Sequence, residues 1–188
     1  IRAGDIDGDG DLDLACTARV ANLVVWYENT GTPARDGWRK HVIDDSSPHP
    51  LHGELSDLDR DGDLDLVLCL GMGYSGKGNL EQVAWYENDG TPARGRWKKH
   101  LIADMMWGAF EAATLDYDGD GDVDLIVAGM EATGNSQTRL YRNIAGLFIE
   151  DDVNSSVVIG VHNGDIAWAD YDNDGDYDLS ISGDNVTS

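Results

Sequence analysis

Cysteine is nearly absent, with two in 188 residues. Cys16 and Cys69 fall three and four residues after Asp13 and Asp65. On strands, that offset points them to opposite faces. The spacing argues against a disulfide between them and for buried free thiols, so cysteine leaves the compartment open. Basic residues are also scarce: 13 Lys and Arg stand against 36 Asp and Glu, for a net charge of −23. A nucleic-acid or anionic-membrane partner needs a basic footprint, and there is none. No leader pattern and no transmembrane span is visible. The chain has no initiator Met and starts inside a repeat, so a leader can simply be missing from this sequence. G-x-S-x-G, H-E-x-x-H and P-loop patterns are missing, which removes the commonest hydrolase and nucleotide readings.

What the chain does have is one acidic nonapeptide, four times over: Asp5–Asp13 (DIDGDGDLD), Asp57–Asp65 (DLDRDGDLD), Asp116–Asp124 (DYDGDGDVD) and Asp170–Asp178 (DYDNDGDYD). Each has aspartate at every odd position, glycine at the sixth and an apolar residue at the second and eighth. The four hold 20 of the 36 acidic residues, leaving 16 acids against 13 bases. The acidity is therefore local to these segments. Two carboxylates about 5 Å apart at an effective dielectric of about 20 cost roughly 3 kcal/mol, so a turn that converges several needs a counter-charge. Hard oxygens without nearby Cys or His suit Ca²⁺. Positions 1, 3 and 5 would supply side chains, 6 the sharp turn and 7 a backbone carbonyl, as at the start of an EF-hand. The Glu expected at position 12 of an EF-hand is replaced by Cys16, Leu68, Val127 or Ile181. The last ligand would instead be the ninth residue: Asp13, Asp65, Asp124 or Asp178. We assign as metal residues Asp5, Asp7, Asp9, Asp11 and Asp13; Asp57, Asp59, Asp61, Asp63 and Asp65; Asp116, Asp118, Asp120, Asp122 and Asp124; and Asp170, Asp172, Asp174, Asp176 and Asp178. The alternative is a solvated acidic loop. About four Ca²⁺ would bring the formal charge from −23 to −15.

DLDLACT, DLDLVLCL, DVDLIVAG and DYDLSISG alternate with period two or run apolar, the pattern of strands. Each nonapeptide is thus a turn opening a strand. This unit, repeated every fifty-odd residues, resembles the FG-GAP or VCBS repeat of integrin alpha-subunit β-propellers and of secreted microbial proteins, and WYEN and W-x-x-H look like the microbial branch. The resemblance implies an all-β propeller of four-stranded antiparallel blades, partial or open with about three to four blades, and calcium in the hairpin between the first two strands of each.

First aspartates at 5, 57, 116 and 170 set the spacings at 52, 59 and 54. The pairs Trp26/Trp85, Trp38/Trp97 and His41/His100 all differ by 59, which marks internal homology. We read one propeller region over 1–188, with repeats of about 1–50, 51–107, 108–161 and a partial 162–188. Strands are expected at 13–17, 22–29 and 38–43, then 51–58, 65–70, 82–88 and 97–102. In the third repeat they fall at 110–115, 124–128, 138–143 and 147–150, and in the fourth at 166–169 and 178–182. A closed propeller has about 4–8 blades. The expectation is either a piece of a longer propeller or a short subunit completed by neighbours, by strand addition or as a filament.

Trp26, Trp85, Tyr27, Tyr86 and Tyr141 read as core, with a sugar-stacking platform as the alternative. His41 and His100, at one repeated position, read as packing or hydrogen-bonding residues. His49, His52 and His162 lie in connections and lack zinc spacing. Glu54, Glu111 and Asp165 precede the acidic turns. Paired carboxylates can serve a glycosidase, but recurrence beside the turns favours a supporting role. Candidate ligand contacts are Tyr74 and Lys77 on a glycine-rich loop and Trp107 in an apolar cluster. Asn154 and Asn185 open glycosylation sequons. Extracellular calcium modules work at about 10⁻⁴–10⁻³ M. The expected function is therefore a non-enzymatic, calcium-stabilised extracellular module, secreted or on a cell surface, for adhesion, assembly or recognition of a protein or glycan. The alternatives are a structural subunit of an extracellular polymer that self-associates, and a lyase-type enzyme on polysaccharides.

Overall fold

The computed structural model describes residues 1–71, 81–95, 97–104, 106–131 and 133–186. The chain is all-β, laid out as four antiparallel sheets that follow one another in sequence. The first sheet holds β1 (Arg2–Gly4), β2 (Asp13–Ala18), β3 (Leu23–Asn29) and β4 (Trp38–Asp44), paired in chain order. The second holds β5 (Gly53–Ser56), β6 (Asp65–Leu70), β7 (Gln82–Glu87) and β8 (Lys98–Asp104). The third holds β9 (Glu111–Leu115), β10 (Asp124–Met130), β11 (Ser136–Ile144) and β12 (Leu147–Glu150). The fourth, among the described residues, has β13 (His162–Ala169) and β14 (Asp178–Asp184). These are open, partial propeller blades. Among the described residues, no helix is long and apolar enough to cross a membrane.

The blades stack through their side chains. β6 and most of β10 are buried, and both lack the alternation of a sheet with one wet face. Leu66, Leu68 and Leu70 of β6 join Trp26, Val24 and Ile43 of the first blade in one core. Val67 and Cys69, one residue out of phase, join Leu125, Val127 and Tyr141 of the third blade in the next. Ile126 and Ala128 of β10 then meet Val161 and Ile166 in the last. Period two thus feeds two cores from one strand.

The terminal blades are covered on one side only, and this corrects two sequence expectations. Trp26, Trp85, Tyr86 and Tyr141 are buried as expected, but Tyr27 is half-buried. Tyr86, its counterpart, turns toward the first blade, while nothing described packs on the corresponding side of Tyr27. The same reason leaves Cys16 half-exposed where Cys69 is buried, both as free thiols. It also leaves Trp38 at 38% exposure where Trp97 has 8%. A third correction concerns His162, which opens β13 and pairs through Nδ1 with Ser136 Oγ at 2.8 Å. A one-turn helix, α1 (Asp152–Ser155), also lies outside the sequence reading, capped by the Asp151 carboxylate on the Asn154 amide.

Polar contacts join the blades at two levels. Near the inner strands, Arg2 reaches Glu54 of the second blade at 2.9 Å and Glu111 of the third at 3.1 Å, and His52 Nδ1 lies 2.7 Å from Glu111. Farther out, the Tyr86 hydroxyl donates to Asp44 Oδ2 at 2.8 Å and meets Ser47 Oγ at 2.9 Å. Burial works to raise the Asp44 carboxyl, but hydrogen bonds from Ser46, Ser47 and Tyr86 outweigh it and hold that carboxyl well below its usual range. Tyr86→Phe should cost about 1–2 kcal/mol, because a buried charged acceptor loses a donor. Tyr27→Phe should stay within about 0.5 kcal/mol. Urea unfolding of both variants checks this; equal losses would contradict the buried-latch account.

Candidate metal centre

Each acidic nonapeptide folds the same way because its own aspartates cap its own amides. The first aspartate accepts from the amide of the sixth-position glycine in all four loops: Gly10 to Asp5 at 3.0 Å, Gly62 to Asp57 at 3.1 Å, Gly121 to Asp116 at 2.9 Å and Gly175 to Asp170 at 3.2 Å. Those glycines have φ of 95°, 97°, 93° and 98°, the left-handed region where a Cβ is costly. The fourth position is left-handed too, at Gly8, Arg60, Gly119 and Asn173. Arginine is the outlier there. Its Nη1 forms an ion pair with Asp122 Oδ1 of the next blade, 3.2 Å long.

The remaining aspartates hold the turn in a ladder. The third accepts from the amide of the fifth, as in Asp61 to Asp59 at 3.3 Å, and the fifth from the amide of the seventh, as in Asp63 to Asp61 at 2.9 Å. The ninth accepts from the amide of the second at 2.9–3.1 Å, with Ile6, Leu58, Tyr117 and Tyr171 as donors. These bonds leave carboxylate oxygens converging on one point. Asp5, Asp7 and Asp13 each offer an oxygen within 4.8 Å of the others, as do Asp57, Asp59 and Asp61; Asp116, Asp118 and Asp124; and Asp170, Asp172 and Asp178. The seventh-position aspartates lie outside these groupings, and so do Asp9, Asp120 and Asp174 at the fifth position and Asp65 at the ninth. Asp122 instead accepts from the Ala145 amide at 3.2 Å, steadying the turn after β11.

The donor set fits a hard divalent cation. Asp5 Oδ1 and Asp57 Oδ1 are buried without a hydrogen-bond partner, which is costly for a carboxylate oxygen unless a cation faces it. Burial pushes Asp65 up to about 7 and Asp124 up to about 6, against the pull of the asparagine and second-position amides and with help from neighbouring aspartates. Asp7, Asp13, Asp59 and Asp63 are raised as well, by burial first and then by the carboxylates beside them.

One set of residues escaped the sequence reading: Asn29, Asn88 and Asn143, at the ends of the third strands. The amide of each donates to Oδ1 of its ninth-position aspartate, at 2.7, 2.8 and 2.8 Å. The Asn88 side-chain amide bridges Leu64 O of its own loop and Ile6 O of the preceding one, at 3.3 and 3.0 Å. Asn143 does the same with Val123 O and Leu58 O, at 2.9 and 2.7 Å. The signal was present in the final Asn of WYEN and LYRN.

The other candidates have structural occupations. His41 and His100 stack on Trp26 and Trp85, with centroids 4.5 and 4.2 Å apart, and bond Glu28 and Glu87 at 2.7 and 2.5 Å. Glu54 and Glu111 sit in the inner ion-pair cluster, away from the cages. Trp107 is 42% exposed beside buried Met106. Tyr74 and Lys77 lie outside the described residues. Asn154 lies on α1 and Asn185 just after β14, both exposed.

A family model described as an FG-GAP-like repeat matches the chain three times, over residues 5–68, 57–127 and 116–180. Each match runs from one acidic loop through the next. No curated protein and no solved structure matches.

The raised carboxyls set the pH response of the metal-free chain. Asp65 has an unfolded pKa near 3.9 and a folded value of about 7. The folded state therefore binds more protons between those limits, and stability falls as pH rises through that window. In chelator, thermal unfolding should occur at a higher temperature at pH 5 than at pH 8. A melting temperature that rises with pH in chelator would contradict this.

Proposed function

Because the chain belongs to the FG-GAP-like repeat family, we propose that it is a calcium-stabilised, non-enzymatic propeller module that works outside the cell in recognition of a protein or glycan, or in assembly. Members of this family are generally not enzymes. The observation that carries the calcium part is the pair of buried, unpartnered oxygens, Asp5 Oδ1 and Asp57 Oδ1, in turns where neighbouring carboxylate oxygens converge within 4.8 Å. Calcium, when bound, supplies the positive charge that lets several carboxylates stay ionised in one turn. The side chains at positions 1, 3, 5 and 9 would hold it with the backbone carbonyl at 7. The chain's own amides preorganise those oxygens, so little ordering entropy is left to lose on binding. The extracellular part rests on the calcium supply that such sites need.

A polysaccharide lyase gains no support from Glu54 and Glu111, which both pair with Arg2 while Glu111 also meets His52, contacts that bind three blades together. Trp107, Tyr74 and Lys77 remain the proposed ligand contacts, and Asn154 and Asn185 the proposed glycosylation points.

Calorimetric titration should find about four calcium equivalents, and Asp59→Ala should remove one. At a hundredfold excess over Kd, each site adds about 2.7 kcal/mol to stability, so chelation should lower the melting temperature markedly. A melt unchanged by chelator would refute the calcium reading.

A further inference from the structure

The outer strand of the third blade stops short of its counterparts. In the first two blades the fourth strand runs on to meet Val24 and Val83, which lie opposite Asp44 and Ala103. Those two residues stand three places before Tyr27 and Tyr86, and Thr138 stands three places before Tyr141. β12, however, ends at Glu150, opposite Tyr141, and the chain turns into α1. Every second residue of β11 aims its main-chain groups at the outer side. Leu140 finds substitutes there: its N–H donates to Ser155 Oγ at 2.9 Å and its C=O accepts from the Asp151 amide at 2.8 Å. The Ser136 N–H donates to Val186 O at 2.9 Å. Between them, the N–H and C=O of Thr138 meet no such substitute among the described residues, although Thr138 is only 4% exposed. Unpaired main-chain groups at a buried residue are costly.

That rung borders a cavity of about 330 Å³, whose lining includes Thr138, Arg139, Glu150, Glu131, Asp152 and Ser156. The cavity lies at the end of the blade away from the acidic turn, where Met130 pairs with Ser136. Arg139 is fixed at its wall, with Nε donating to Gln137 Oε1 at 2.8 Å and Nη1 to Glu150 Oε2 at 3.2 Å. Three carboxylates against one guanidinium disfavour an anion. A simple cation would face the guanidinium and leave the Thr138 N–H without an acceptor. Hydroxyl groups, which both donate and accept, suit every part of this lining. The volume is at the low end of the range of about 300–1,000 Å³ for ligand sites, which fits one ring and not a longer chain. We propose that this cavity binds a single neutral sugar residue of a glycan, whose hydroxyls complete the Thr138 rung and meet Arg139 and the wall carboxylates.

The inference rests on the recognition reading and names its site and ligand class. The test titrates the intact, calcium-loaded chain with methyl glycosides of glucose, galactose, mannose and N-acetylglucosamine, with glucuronate as the anionic control. Amide chemical shifts read the result residue by residue. Saturable shifts centred on Thr138, Arg139 and Ser156 are expected with at least one neutral glycoside, and weaker ones with glucuronate. Ser156 is exposed, so Ser156→Phe should leave the urea midpoint unchanged. It should weaken binding by about tenfold or more, because the ring takes space in a cavity near the lower size limit. Shifts confined to other residues, or binding that Ser156→Phe leaves intact, would overturn this site and keep glycan recognition. No binding of any neutral glycoside would overturn the site together with the glycan half of the recognition reading, leaving protein recognition. Equal binding of glucuronate would overturn the assignment to neutral sugars.

Discussion

Carboxylate crowding is the constraint on which the structure depends. Five aspartates in nine residues cannot occupy one turn at neutral pH without help. The chain provides part of that help through amides aimed at the first, third, fifth and ninth carboxylates. The amides form a scaffold whose unspent oxygens converge within 4.8 Å. Whatever charge fills that convergence also sets the exit direction of the next strand, because the ninth aspartate is the first residue of β2, β6, β10 and β14.

The loops do not act alone. Through Asn88 and Asn143, the second and third blades each grip the backbone of their own loop and that of the loop before it. Arg60 adds a direct bond between the second and third loops. The acidic turns thus form a chain along one side of the blades, and the inner ion pairs of Arg2, Glu54, Glu111 and His52 tie the blades at another level. Three apolar cores fill the space between neighbouring blades.

Much of this was legible in the sequence. Period-two runs after each acidic turn placed β2, β6 and β10 to within two residues at their ends, because alternation is a local property of strands, and β12 was expected at its observed bounds. The 59-residue offset predicted that the first two blades match, and their strand registers do. Less legible was anything that depends on which blade has a neighbour. Tyr27 and Tyr86 occupy identical local patterns, yet one is half-buried and the other buried, since only the second has a blade behind it. Likewise, Glu54 and Glu111 stand near the acidic turns in sequence, but their side chains answer to Arg2 and His52 from other repeats. The asparagine latch was written in WYEN and LYRN, but its partner atoms are carbonyls, which no side-chain pattern reveals.

The most direct test of the central claim is to count metal ions on the folded chain. Native mass spectrometry in calcium acetate should show a dominant species carrying four Ca²⁺, falling to none in chelator, with the charge-state distribution shifting toward more open forms as ions leave. A folded chain that retains the same compact distribution with no bound cation would contradict the account, because the amide ladders would then be enough to hold the carboxylates together.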